Sequence, residues 1–195
     1  MTSKRLDPNA EDNLYEPIRK VLKGVFGNYI KIDKKPHYQT RPHEYPEENP
    51  YLEITANKRT FSEKLKKGFD DETLNIINSE GKFPDITGYV KQKRDSKKEL
   101  ITVEIKRHSI RLRDVMQARL YQELFKAKFG LLVSPEGITE ERVRFLLDKK
   151  IGKWIRGDLI IIRYFRNFYQ KGRWIEIHPK FRDTVPDLFK DYCKP

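Results

Sequence analysis

Two segments of the chain combine the apolar pattern of β-strands with charged residues that such strands rarely carry. Asp85 lies near the start of residues 83–92, and residues 99–107 contain both Glu104 and Lys106. An unpaired charge that faces a protein core costs several kcal/mol, so such groups need a charged partner or a metal ion. Glu104 and Lys106 are two residues apart and therefore project from the same face of a strand.

The spacing of these charges predicts that they meet. A polar run at residues 94–97 falls close to midway between Asp85 and Glu104. If this run is the turn of an antiparallel hairpin, Asp85 lies nearly opposite Glu104. Two carboxylates and the Lys106 ammonium would then converge, which suits a hard cation such as Mg²⁺ and a water molecule.

An acid-x-Lys triplet alone is weak evidence in a chain of which 36% is charged. Five such triplets occur, and only the one from Glu104 to Lys106 closes an apolar β-type run. The alternative is a surface-facing alternation, in which Thr102, Glu104 and Lys106 lie on the solvent side of the sheet. The hairpin by itself does not decide between these interpretations.

The remaining pattern indicates an α/β fold. An amphipathic helix is expected over residues 11–26 with Gly27 as its end, and a long helix over residues 111–128 with Leu120 and Tyr121 on its apolar stripe. Shorter helices are expected at 61–67, 70–78 and 140–150, and further strands at 52–55, 129–134, 159–162 and 174–177. This order predicts one domain over residues 1–195, with a mixed β-sheet that is led by the hairpin and flanked by helices. Its core would span about residues 11–134, with a basic, aromatic-rich extension of the sheet at about 139–182.

The charge balance favours a polyanionic partner. The net charge is +12 and the pI is near 9.6, so nucleic acid is the leading candidate. The alternative is a lysine-rich solvated surface. The one cysteine, Cys193, excludes a disulfide framework, a cysteine zinc site and a cysteine-held iron–sulfur cluster within a single chain. Without an N-terminal apolar run or an uncharged stretch of 18 residues, the sequence predicts a cytoplasmic protein that does not contact a membrane.

The segment from residue 163 to 174 interleaves cations with aromatic rings. Arg163, Arg166, Lys171 and Arg173 are candidates for nucleic-acid binding, because cations hold phosphates while rings stack on unpaired bases. The alternative is a strand-turn-strand whose rings lie in the core and whose cations face solvent.

A third pattern lies on the helix after the second strand of the hairpin. Gln117 and Tyr121 form the only Gln-x-x-x-Tyr of the chain, and alone they are explained by a helix that buries a tyrosine beside a glutamine. In the order Pro84-Asp85, then Glu-x-Lys, then Gln-x-x-x-Tyr, the chain resembles the PD-(D/E)XK nuclease superfamily, in its RecB-type branch. The resemblance covers about residues 11–134 and implies a restriction-endonuclease-like core.

The resemblance implies a metal site. Asp85 and Glu104 would bind a divalent metal, Mg²⁺ or Mn²⁺, with the backbone carbonyl of Ile105 as a further ligand. The family often places an acid on its first helix near the metal, and Glu11 is the residue whose helix face permits that role. Many cysteine-bearing relatives in this branch hold an iron–sulfur cluster, which this chain cannot.

The resemblance also implies an activity. Lys106 would orient or help deprotonate the attacking water, and Gln117 and Tyr121 would support the site and the substrate phosphate. The expected function is metal-dependent hydrolysis of DNA phosphodiesters. The alternative is a non-catalytic nucleic-acid-binding module on the same fold, as a subunit of a larger DNA-processing complex. The sequence leaves open single- or double-stranded substrate, cleavage from ends or internally, sequence preference, RNA activity and oligomeric state, with a homodimer among the options.

Overall fold

The fold is a six-stranded β-sheet with helices on both faces. The computed structural model describes residues 12–32, 48–81, 83–91, 98–148, 159–165, 174–184, 186–190 and 192. The strands are β1 (Tyr51–Ile54), β2 (Ile86–Lys91), β3 (Lys98–Ile105), β4 (Phe129–Ser134), β5 (Leu159–Tyr164) and β6 (Ile175–Ile177). The helices are α1 (Asp12–Ile32), α2 (Glu63–Lys66), α3 (Asp71–Glu80), α4 (Leu112–Leu124), α5 (Glu140–Leu147) and α6 (Asp187–Lys190), and a 3₁₀ helix spans Pro179–Thr184.

The sheet is mixed, as predicted, and its strands follow the chain in the order β1 to β6. The pairs β1–β2, β2–β3 and β5–β6 are antiparallel, whereas β3–β4 and β4–β5 are parallel. Parallel neighbours need a crossover connection, and α4 and α5 supply the two that occur here. None of the helices that the structure describes is both long and apolar enough to cross a membrane.

The predicted hairpin is confirmed. Strands β2 and β3 pair with Ile86 opposite Val103 and Thr87 opposite Thr102. One further step along this register places Asp85 directly opposite Glu104, as the spacing of the sequence predicts.

Helix α1 covers one face of the sheet with a continuous apolar stripe. Leu14, Ile18, Leu22 and Phe26 are buried in the main core cluster together with residues of all six strands. The predicted end of this helix was wrong, because α1 continues through Gly27 to Ile32. A glycine inside a helix costs only about 1 kcal/mol relative to alanine, so a single glycine does not by itself end a helix.

Helix α4 covers the opposite face of the sheet. Its buried residues include Val115, Ala118, Tyr121 and Gln122. The expectation that Leu120 belongs to the apolar stripe was wrong, because this side chain is 57% exposed. Gly130 of β4 sets how closely α4 approaches, since a Cβ there would lie 2.7 Å from Cδ of Gln122.

Candidate active site

The polar residues of the hairpin gather at one edge of the sheet. Because β3, β4 and β5 are parallel, their carboxyl ends share this edge, and the amino end of antiparallel β2 lies there as well. Asp85 immediately precedes β2, Glu104 is the penultimate residue of β3, and Lys106 follows β3 directly. In open α/β sheets the carboxyl edge of the parallel strands is the usual place for a ligand.

Asp85 is held by the strands on both of its sides. Its backbone carbonyl accepts hydrogen bonds from the N–H groups of Thr55, at 2.8 Å, and Ala56, at 3.1 Å. Its carboxylate Oδ2 accepts a hydrogen bond of 2.7 Å from the N–H of Ile105. The preceding carbonyl, of Pro84, accepts a hydrogen bond of 2.6 Å from Thr55 Oγ1. The Asp85 carboxylate is therefore anchored against β3 while its side chain remains half-buried.

Glu104 is a buried carboxylate that is paired with Lys106. Glu104 is 4% exposed, and Lys106 Nζ lies 2.5 Å from its Oε1. The backbone N–H of Lys106 donates to the carbonyl of Val133 at 2.8 Å, so β4 fixes the chain at this point. Thr102 is also buried, at 2% exposure. The alternative interpretation, in which Thr102, Glu104 and Lys106 line the solvent side of the sheet, is therefore wrong.

Gln117 and Tyr121 project from α4 toward the same place. Burial raises the pKa of the Tyr121 hydroxyl, a hydrogen bond with Gln117 lowers it, and the charges of Glu104 and Asp85 raise it further against an opposing effect of Lys106. The Tyr121 hydroxyl is therefore within electrostatic range of Glu104, Asp85 and Lys106, while its ring packs edge-on against Phe125. Asp85, Glu104 and Lys106 thus lie together at the sheet edge. Lys106 and Gln117 line one cleft, and Tyr121 is one turn further along α4.

The donors at this edge fit a hard divalent cation. The register places Ile105 opposite Pro84, which has no backbone N–H, so the Ile105 carbonyl has no ladder donor from that position. Two carboxylates and a carbonyl are sufficient protein ligands for Mg²⁺, which keeps several of its waters. Within the described part of the chain, no group of three or more His, Cys, Asp or Glu side chains is placed to hold a metal. Glu11, the predicted third acid, lies outside the described residues.

A further carboxylate on the same face of the sheet was missed by the sequence analysis. Glu53 of β1 pairs with Thr87 across the sheet and is 8% exposed. It accepts hydrogen bonds from Tyr51 Oη at 2.9 Å, Ser62 Oγ at 2.5 Å and Lys58 Nζ at 2.7 Å. Burial raises the pKa of Glu53, but these three donors outweigh burial and lower it overall. Glu53 therefore ties β1 to the segment before α2 as a charged structural group.

The predicted nucleic-acid-binding segment is described only at its first residue. Arg163 is exposed at the end of β5, its Nε donates to the carbonyl of Pro135 at 3.4 Å, and its guanidinium lies 5.5 Å from the centre of the Phe165 ring. The other three candidates, Arg166, Lys171 and Arg173, lie outside the described residues.

A cationic cleft beside Lys106 was also missed. It lies between the end of β3 and the first turns of α4, and its walls include Arg107, Arg111, Arg113 and Gln117. The signal was present in the sequence as Lys-Arg-His-Ser-Ile-Arg-Leu-Arg at residues 106–113. A run of charges does not reveal that the chain folds back there, so its concave form became visible only in the structure.

Comparison with known proteins gives no relative from which a function could be transferred. The chain matches no protein-family model, no curated protein and no solved structure. The residues at the edge of the sheet and their chemistry are therefore the basis on which a function can be inferred.

Proposed function

We propose that the protein is a divalent-metal-dependent nuclease that hydrolyses DNA phosphodiester bonds. The observation that supports this most strongly is the placement of Asp85 opposite Glu104 on adjacent strands, with the Lys106 ammonium 2.5 Å from Glu104. A purely structural sheet has no need for two carboxylates at one position of its edge, because each charge must be compensated.

Asp85, Glu104 and the carbonyl of Ile105 are the proposed ligands of Mg²⁺ or Mn²⁺. When bound, the cation neutralises charge on the phosphate and acidifies a water molecule. The protein contributes a rigid arrangement of these oxygens, since Asp85 is hydrogen bonded to the main chain of Ile105 at 2.7 Å and both strands belong to the sheet.

Lys106 is the proposed positioning group for the attacking water. Its ammonium lies at the boundary of the site, 15% exposed, where it donates to Glu104 and is partly accessible to a water or a phosphate oxygen. The water oxygen forms a bond to phosphorus while a P–O ester bond breaks. The products are a phosphate monoester and a free hydroxyl, which receives a proton as it leaves.

Gln117 and Tyr121 are proposed to hold the substrate phosphate. The raised pKa of Tyr121 keeps its hydroxyl protonated at neutral pH, so it remains a hydrogen-bond donor beside two carboxylates. Gln117 lies one turn earlier on the same face of α4, where it interacts with the Tyr121 hydroxyl and lowers its pKa.

The order of the helices and strands supports the proposal that this α/β fold has a restriction-endonuclease-like core. A helix, α1, precedes three antiparallel strands, and α4 then crosses to the parallel strand β4. This is the order that the resemblance to the PD-(D/E)XK superfamily implies.

Cleavage of labelled DNA tests the proposal. Single- and double-stranded oligonucleotides are incubated with wild type in Mg²⁺ and in EDTA, and with Asp85→Ala and Asp85→Asn in Mg²⁺. The asparagine variant retains an oxygen that can accept from Ile105 N–H, so it separates loss of charge from loss of structure. Glu80→Gln, on the exposed end of α3, is the charge-matched control. Cleavage should require Mg²⁺, survive Glu80→Gln and disappear in both Asp85 variants.

The second candidate function is a non-catalytic nucleic-acid-binding module. The cationic cleft favours it, because the cleft offers affinity for phosphates without any need for a metal. DNA binding that weakens steeply with salt, together with no cleavage under any metal condition, would establish this function in place of the first.

A further inference from the structure

The cleft beside the candidate active site carries an excess of positive charge. Four cationic side chains line it, Lys106, Arg107, Arg111 and Arg113, together with a single carboxylate from Asp114. Like charges that share a concave surface repel one another, and the low dielectric of the walls strengthens the field. Such a surface is suited to an anionic ligand.

The one carboxylate in the cleft is already engaged by the protein. Asp114 is 3% exposed and accepts a hydrogen bond of 2.8 Å from the backbone N–H of Arg111. Its oxygens also lie 3.8 Å from Nδ1 of His108 and 3.7 Å from Nε of Arg113. Asp114 thus stabilises the first turn of α4 and does not neutralise Arg107 or Arg111.

Arg107 and Arg111 are two cations of the cleft that a ligand can reach. Both are exposed, and neither forms an ion pair with any acid in the part of the chain that the structure describes. Their forked guanidinium groups match two phosphate oxygens at once. The amino end of the 13-residue helix α4 adds its partial positive charge at the same place.

The cleft is continuous with the candidate active site. Lys106 and Gln117 belong to both, because Lys106 contacts Glu104 while it lines the cleft, and Gln117 contacts Tyr121. A nucleic-acid strand with one phosphate at Asp85 and Glu104 would therefore place its neighbouring phosphates against Arg107 and Arg111.

We propose that this cleft binds the sugar-phosphate backbone of the strand that is cut, on one side of the scissile phosphate, through Arg107 and Arg111. The inference rests on the proposed function for the position of the scissile phosphate. It assigns the main phosphate contacts to the connection between β3 and α4. Arg163, the described member of the segment that the sequence analysis selected, instead contacts Pro135 and Phe165 of its own chain.

The experiment measures binding of a fluorescein-labelled 20-nucleotide oligothymidylate by fluorescence anisotropy. The full-length chain is used in EDTA at a series of salt concentrations, so that cleavage plays no part. The variants are Arg107→Ala, Arg111→Ala, their combination, and Arg163→Ala. Lys20→Ala is the control of equal charge, because Lys20 is exposed on α1, which packs on the opposite face of the sheet.

The expected result follows from counterion release. Each phosphate contact on a single strand contributes about 0.7 to the slope of log K against log salt, so each arginine variant should bind about fivefold more weakly at 0.1 M salt. The double variant should bind about 25-fold more weakly, with its slope reduced by about 1.4. The variant with both Arg107→Lys and Arg111→Lys keeps the charge, so it should retain the salt slope of wild type. Its affinity should fall, because lysine cannot make the bidentate contacts of a guanidinium group.

The outcomes separate this inference from the proposed function. A reduced salt slope in the double variant, with the slope of Lys20→Ala unchanged, supports phosphate binding by the cleft even if wild type cleaves no DNA. A double variant that keeps the affinity and salt slope of wild type overturns the proposal that the cleft binds phosphates, even if cleavage is lost in Asp85→Ala. A loss in Arg163→Ala or Lys20→Ala equal to that in the double variant overturns it too.

Discussion

Replacement of Lys106 by methionine tests whether Glu104 is a buried charge that depends on its lysine. Methionine keeps an unbranched apolar side chain and removes the ammonium that lies 2.5 Å from Glu104 Oε1. The variant leaves a carboxylate that is 4% exposed beside the second carboxylate of Asp85. We expect Lys106→Met to destabilise the protein strongly.

The size of the effect follows from the burial of the pair. Removal of one partner of a buried ion pair costs about 3–5 kcal/mol, and because Lys106 is 15% exposed we expect about 3 kcal/mol. For a chain of this length that lowers the melting temperature by about 6–12 °C. Glu104→Gln should cost less, because the lysine left behind can move its ammonium into water. The double variant, Lys106→Met with Glu104→Gln, should have a free energy of unfolding within about 1 kcal/mol of that of wild type.

Urea denaturation followed by circular dichroism measures these free energies, in EDTA so that no cation replaces the ammonium. Lys66→Met is the matched control, because Lys66 pairs with Glu63 at 2.7 Å on the surface of α2, where an ion pair contributes at most about 0.5 kcal/mol. A cost below about 1 kcal/mol for Lys106→Met, or costs that simply add in the double variant, would refute the reasoning.

Three further predictions follow from the packing and the pKa shifts. Gly88→Ala should unfold the β1 edge, because its Cβ would lie 2.1 Å from the carbonyl oxygen of Tyr51. Gly24→Ala should stabilise the protein by about 0.5–1 kcal/mol, because Gly24 is an exposed position of α1 where the added Cβ has nothing within 4 Å. Thermal melts check both. The lowered pKa of Glu53 means that its stabilising contribution is present above pH 4.5 and is lost as the pH falls through the folded pKa. The difference in unfolding free energy between wild type and Glu53→Gln should therefore shrink as the pH is lowered in a series of denaturation curves. A difference that stays constant would contradict this. The raised pKa of Tyr121 means that its contribution to the free energy of unfolding is present below pH 10 and is lost as the pH rises through the folded pKa. Tyr121→Phe should therefore lose less stability at alkaline pH than wild type. An unchanged dependence of stability on alkaline pH would count against this.

The hairpin and its charges were predictable because the signals are local. The polar run at 94–97 predicts the approximate centre of the turn, and the period of two predicts which residues share a face. Asp85 and Glu104 therefore meet in the structure as the spacing indicates.

Features that depend on tertiary packing were not predictable in this way. Gly27 does not end α1, which continues to Ile32, because the cost of a glycine inside a helix is only about 1 kcal/mol and is not decisive on its own. Leu120 was assigned to the wrong side of α4 because that helix carries apolar residues on its outer side as well, with Met116 52% exposed. Gln122 lies against Gly130 of β4, so the side of α4 that faces the sheet depends on the partner strand as well as on the sequence of α4.

The most direct measurement of the central claim is the rate of DNA cleavage as a function of Mg²⁺ concentration. The measurement compares wild type, Glu104→Gln and Glu80→Gln, with enzyme in excess over a labelled substrate. We predict a saturable dependence on Mg²⁺ for wild type and Glu80→Gln, and a rate at least about 100-fold lower for Glu104→Gln at saturating metal, because the site loses a ligand that positions the cation. Cleavage by Glu104→Gln at the rate of wild type, or cleavage by wild type that persists in EDTA, would contradict the account.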